Sequence, residues 1–107
     1  MENNDLDIAT RYVALAASAK SREIEFNISF SEFKKIFNKK KCYYSGKKLV
    51  KGKNFSFDRA DNSKGYVSNN VVACDKSLNN RKTDLTVEEI TQIYLGIQKL
   101  NKKTSKD

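Results

Sequence analysis

The stretch from Phe57 to Lys82, FDRADNSKGYVSNNVVACDKSLNNRK, restricts the fold more than any other part of the chain. Phe55-Ser56-Phe57 alternates apolar and polar residues as a half-buried strand does, and Val71-Val72-Ala73 is a short apolar run suited to a buried strand. Between them Asp61-Asn62-Ser63-Lys64-Gly65 is dense in residues that bond their own backbone or accept a left-handed φ, so it reads as a turn. Lys76 to Arg81 then suits a helix. Together these segments spell strand, long polar connection, strand, helix: a β-β-α order.

The flanks read as helical. From Asp5 to Arg22 the apolar residues Ile8, Tyr12, Leu15, Ala16 and Ala19 recur at three- and four-residue spacing, with Arg11, Lys20 and Arg22 on the opposite face. Glu25 to Ile28 alternates polar and apolar. Ser29-Phe30-Ser31-Glu32 is a capping box, predicting a second helix through Phe33, Ile36 and Phe37 that ends near Asn38. Cys42 to Gly46 makes a tight turn and Lys47 to Lys53 a charged loop. Thr86-Val87-Glu88-Glu89 is another capping box, and Ile90, Ile93, Tyr94, Ile97 and Leu100 mark a last amphipathic helix whose stripe is expected to pack on the core. The expected organisation is one α+β domain: a helical region over 1–41, the β-β-α motif over 42–85, a C-terminal helix over 86–101 and a frayed polar tail over 102–107.

Charge points to a partner. Twenty-one Lys plus Arg against thirteen Asp plus Glu give +8 on 107 residues, which draws a small domain to polyanions through phosphate neutralisation and counterion release. The plain alternative is a basic protein whose charge only keeps it soluble. No apolar run approaches the roughly 20 residues that span a bilayer, and residues 1–19 lack the order of a secretory leader, so an intracellular location is expected. Cys42 and Cys74 are too few for a disulfide framework and read as small apolar core residues.

Four strings in order, Cys42-Tyr43-Tyr44-Ser45-Gly46, Asp58-Arg59-Ala60-Asp61-Asn62-Ser63-Lys64-Gly65-Tyr66, Asn70-Val71-Val72 and Asn79-Asn80-Arg81-Lys82-Thr83-Asp84-Leu85-Thr86, resemble the HNH (ββα-metal) endonuclease family. The likeness is to small phage-type members with Asp-Arg in place of Asp-His. It implies a ββα-metal core and a divalent-metal-dependent DNA endonuclease, in a host cell's cytoplasm if the gene is a phage's. The site it implies is catalytic Asp58, Arg59, Asn70 and Asn79. Asp58 and Asn79 would ligate one Mg²⁺ or Mn²⁺, a hard cation that takes few protein carboxylates. Asn70 would brace the loop, as a turn Asn often does in any fold. Asp58 has a simpler reading as a turn-entry residue paired with Arg59 or Lys64, and Asn79 as a solvent-facing helix residue.

The chain departs from the family pattern twice. It holds no histidine, and an arginine at the base's position stays protonated. Arg59 could instead hold the scissile phosphate, leaving Asp61, Asp58 or solvent to take the water's proton. Where many members of that family carry zinc-binding cysteine pairs, this chain has Cys42 with Ser45 and Asp75 with Leu78, so no structural zinc is expected. DNA contacts are assigned to Lys39, Lys40, Lys41, Lys47, Lys48, Lys51, Lys53, Arg81 and Lys82. The rival reading is a catalytically silent HNH-fold module that binds DNA or a protein, with Asp58-Arg59 as an internal salt bridge.

Overall fold

Residues 3–105 are described in a computed structural model of the chain. The elements run α1 (Asn3–Ser21), β1 (Phe26–Asn27), α2 (Phe30–Phe37), β2 (Phe55–Arg59), β3 (Tyr66–Val67), β4 (Val71–Asp75), α3 (Lys76–Lys82) and α4 (Val87–Ser105). Among the described residues the fold is mixed α+β, with four helices and two small sheets. β2 and β4 form an antiparallel pair in which Phe55 faces Asp75 and Arg59 faces Val71. β1 and β3 pair in parallel, Phe26 with Tyr66. α3 follows β4 without a break, as the strand-strand-helix order predicts.

Local chemistry accounts for the boundaries. Ser29 caps α2, its hydroxyl accepting the Glu32 amide at 3.1 Å. Asp75 ends β4 and caps α3, its carboxylate accepting the Leu78 amide. At α4 Thr86 and Glu89 bond reciprocally. Gly65 is required where the two small strands meet. Tyr66 donates its amide to the Glu25 carbonyl, and a Cβ at position 65 would lie 2.5 Å from that same oxygen.

Aromatic residues build the core. Phe33 of α2 is fully buried and stacks on Phe57 of β2 with ring centroids 4.6 Å apart, while Phe37 packs edge-on to Phe55. Tyr12 of α1 sits edge-on to Phe26, Phe30 and Phe33. Ile8 and Ala19 are buried below it. One face of the β2–β4 pair is thus closed by α2, which α1 backs and the Lys34–Asp5 ion pair ties to it.

The last helix corrects the sequence reading. Its stripe does not join the core: Ile93, Tyr94, Ile97 and Leu100 are each more than half exposed. Aromatic side chains of α1 and α2 already fill the apolar face it was expected to cover. α4 therefore projects, and the molecule measures 61 × 29 × 20 Å. The helix also runs to Ser105, past its expected end at 101; the last positions of the expected frayed tail, 106 and 107, lie outside the described residues.

Candidate functional site

The open end of the β2–β4 pair is held by Asn70. Its side-chain oxygen accepts the Asp61 amide at 2.9 Å, and its Nδ2 donates to the carbonyls of Asp61 and Gly65. Those bonds close the 60–70 connection onto itself, so the side chains at the end of β2 sit on a fixed base.

Asp58, on β2, is 3% exposed. Its Oδ2 accepts the Tyr44 hydroxyl at 2.7 Å, and the Lys82 ammonium stands 3.4 Å from both carboxylate oxygens while donating to the Arg59 carbonyl at 2.8 Å. Burial and the Asp58 charge push the Tyr44 phenol well up, so it remains a donor. The ion pair is therefore Asp58–Lys82, which replaces both expected pairings of Asp58, with Arg59 and with Lys64. Arg59 instead gives its guanidinium to the Asn62 and Lys64 carbonyls. Lys82 lies one helical turn beyond Asn79 and shares its face.

Arg59 points into the 60–65 turn, its Nη1 donating to the carbonyls of Asn62 and Lys64 at 3.0 Å, with its guanidinium over the Tyr66 ring. Asp61 is committed as well: its carboxylate accepts the Ser63 hydroxyl and amide, which hold its pKa below the usual carboxylate value. Asn79 faces β2, Nδ2 donating to Ser56 Oγ at 3.1 Å and to the Phe57 carbonyl at 3.3 Å. A planar amide so held turns its carbonyl oxygen away from the strand.

Asp58, Arg59 and Asn79 line one cleft of about 300 Å³, together with Arg22, Asn62 and Asp84. Asn70 lies behind it as support. Arg22 and Asp84 were missed by the sequence reading. Asp84 stood in the quoted motif without a role, whereas Arg22 reaches the cleft only because α1 folds back, its Nη2 donating to the Tyr66 hydroxyl. Tyr44 was missed too, having been read only as part of a turn.

A divalent cation in this cleft would find one carboxylate and one amide oxygen. Among the described residues no three His, Cys, Asp or Glu side chains gather into a metal-holding group. Magnesium, which keeps most of its waters, accepts so sparse a donor set. The Lys82 ammonium against both Asp58 oxygens marks a place where positive charge is already held. The residues fit such an ion on the condition that Lys82 yields that place.

Cys42 and Cys74 are both buried with their sulfurs 3.9 Å apart. Burial opposes ionisation of Cys42, but hydrogen bonds from Ser45 and from the backbone of Ser45, Asp75 and Tyr44 draw its thiol down to about 7. Burial and then Cys42 push Cys74 up to about 12.

The expected DNA-contacting cations are not equivalent. Lys39, Lys40 and Lys41 are exposed beyond α2, and Lys48 pairs with Lys41 through the backbone. Lys53 and Arg81 are also exposed. Lys51 lies over the rings of Phe37 and Phe55, where burial and then the charges of Lys40 and Arg11 lower its pKa. Lys47 is 3.7 Å from Asp75. Lys82, the last of the expected DNA contacts, is ion-paired to Asp58 rather than solvated.

The molecule is thus a mixed α+β domain with a small polar cleft at the end of a strand pair, and among the described residues no helix is long and apolar enough to cross a membrane. The chain is 36% identical over 96 residues to an uncharacterized 29.0 kDa protein of the dda–modA intergenic region of enterobacteria phage T4. The match takes in 86% of this chain, which spans only 39% of that relative. No protein-family model matches the chain, and no solved structure does.

Proposed function

We propose that the chain is a divalent-metal-dependent DNA endonuclease of HNH type, phage-like, which nicks or cleaves duplex DNA at the Asp58–Asn79 cleft. The observation that carries this is the meeting of Asp58, Arg59 and Asn79, from a strand and the helix that follows its partner strand, in one cleft of a domain with net charge +8. The phage relative is in keeping with the phage-type motif.

Asp58 and the Asn79 carbonyl oxygen would hold Mg²⁺ or Mn²⁺. When bound, such an ion supplies Lewis-acid stabilisation of phosphate charge and a more acidic water. Tyr44 keeps the Asp58 carboxylate oriented. Arg59 cannot accept a proton, and its fixed guanidinium offers positive charge to a phosphate oxygen at the cleft wall. Asp61 is tied to Ser63 and is a weak base. Proton removal is left to solvent, which makes catalysis slow.

A second reading has its own observation. The Asp58 carboxylate is already satisfied by Lys82 and Tyr44, as in a silent module that binds DNA or protein without cutting. Supercoiled-plasmid nicking with Mg²⁺, Mn²⁺ or EDTA decides. Slow nicking is expected with metal, none with EDTA and none in Asp58→Ala. Arg59→His places a group with a pKa of about 6.5 at the base position, so the rate should rise and gain a limb near that pH. Circular dichroism must accompany this variant, because it also removes the bonds to Asn62 and Lys64. DNA binding without nicking under any metal would overturn the enzyme and leave the module.

A further inference from the structure

Cys42 and Cys74 take no part in the cleft, and the sequence reading gave them only the role of small core residues. Their surroundings are not those of inert packing. Both are buried free thiols, 3% and 0% exposed, with sulfurs 3.9 Å apart although 32 positions separate them in the chain. A disulfide sets its sulfurs about 2.05 Å apart, so the pair needs to close roughly half of that gap. The Tyr43 amide donates to the Ala73 carbonyl at 2.9 Å, which clamps the two backbones together directly beside the pair.

The two thiols differ in kind. Against the effect of burial, the Cys42 sulfur accepts from the Ser45 side chain and from the backbone of Ser45, Asp75 and Tyr44, donors that favour a thiolate and that an apolar side chain could not use. Cys42 also opens the 42–46 turn, whose other four residues are exposed, so a water-sized oxidant has only a turn of chain to cross. Cys74 lies on β4 between Ala73 and Asp75, both buried, and burial and then Cys42 keep its thiol protonated. A reactive thiolate with a second thiol beside it is the arrangement in which oxidation of the first is resolved by the second.

We propose that Cys42 and Cys74 form an oxidisable dithiol, a modification site whose oxidant is a peroxide and whose product is a reversible Cys42–Cys74 disulfide. The Cys42 thiolate attacks one peroxide oxygen and the O–O bond breaks, giving a Cys42 sulfenic acid and hydroxide. The Cys74 sulfur then attacks the Cys42 sulfur, and the S–O bond breaks. The leaving hydroxide takes the Cys74 proton and departs as water, so two thiols lose two electrons to one peroxide. Closing the bond draws the exposed 42–46 turn towards β4, which β2 holds in place. Tyr44 travels with the turn, and its hydroxyl is the Asp58 donor, so the bridge reaches the cleft. The dithiol itself does not depend on the nuclease reading.

Hydrogen peroxide treatment of the 107-residue chain near neutral pH, followed by alkylation in denaturant and tryptic mass mapping, tests the pair. Fragments 42–47 and 65–76 are expected joined in one ion, lighter by about 2 Da than the two together, within a single chain, and dithiothreitol should release them. In Cys74→Ser the reaction should stop at the Cys42 sulfenic acid, which dimedone traps. In Cys42→Ala, Cys74 should react at least about tenfold more slowly than Cys42 does in Cys74→Ser. Circular dichroism checks that both variants fold, and the wild-type result stands without them. Amide NMR spectra of the reduced and oxidised wild type should differ at Tyr44 and Asp58 as well as at the two cysteines. Two thiols still free after prolonged peroxide overturn the proposal, as does Cys42 sulfinic acid without linkage to Cys74, or a disulfide that joins two chains. A linked pair with unmoved Tyr44 and Asp58 signals overturns its coupling to the cleft.

Discussion

Lys82 shows how one side chain shapes the candidate site. Its ammonium sits 3.4 Å from each oxygen of a carboxylate that is 3% exposed, in surroundings where an uncompensated charge is expensive. Lys82→Met leaves Asp58 with only the Tyr44 hydroxyl, and should lower the urea-unfolding free energy by about 3 kcal/mol. If Asp58 is a cation ligand, added Mg²⁺ or Mn²⁺ should restore more stability to Lys82→Met than to the wild type, because the competing ammonium is gone. Equal and negligible metal effects on both proteins would show that the ammonium marks no metal position. The sequence reading named Asp58 as chemically important but mistook its partner, since spacing along the chain does not reveal that α3 swings a lysine back over β2.

At the scale of the element, α3 depends on Asp75. Its carboxylate accepts the Leu78 amide, is bonded by Asn54 Nδ2 at 3.1 Å and lies 3.7 Å from Lys47. Burial opposes its ionisation, but the Asn54 bond, the Leu78 amide and Lys47 outweigh burial and hold its pKa below the ordinary value. A carboxyl depressed in the folded state contributes stability that is complete above the unfolded pKa of about 3.9 and is lost as pH falls through the folded value. Urea midpoints measured from pH 6 downward should therefore fall in the wild type below about pH 4, and Asp75→Asn should flatten that part of the profile while lowering stability near neutrality. α3 carries Asn79 and Lys82, so the cap that starts the helix also sets the position of the cleft. In the sequence Asp75 stood out only as a residue at a position that the motif resemblance matched to a zinc ligand. Its capping role becomes visible once β4 is seen to run directly into α3.

For the whole molecule, the distribution of charge matters more than its sum. Lys47, Lys51 and Lys82 already have partners in Asp75, two aromatic rings and Asp58. Lys39, Lys40 and Lys41 are exposed together beyond α2. If DNA binding follows exposure, replacing these three by alanine should reduce the slope of log affinity against log salt by about 2 to 3, whereas Lys82→Met should leave it nearly unchanged. Fluorescence anisotropy with a duplex across a salt series makes the comparison. Equal slopes for wild type and the triple variant would remove this segment from the DNA interface.

Local pattern alone was sufficient for the elements. Capping boxes at Ser29–Glu32 and Thr86–Glu89, alternation at Phe55–Phe57 and the 61–65 turn formers each act over a few residues, and α2, β2, β4 and the start of α4 lie where those signals put them, whereas β3 at Tyr66–Val67 carried no strand signal and α4 runs past its expected end. The charge of +8 and the lack of histidine are likewise properties of composition, and they bound the chemistry before any fold is known. Tertiary structure decided the pairings: Lys82 with Asp58, Arg59 with the 62 and 64 carbonyls, Arg22 at the cleft, and the stripe of α4 turned to solvent. The physical reason is the same in each case. An amphipathic period states that a face seeks cover, and a carboxylate that it seeks a cation, but which partner arrives depends on volumes and directions set when the aromatic side chains of α1, α2 and β2 close the core.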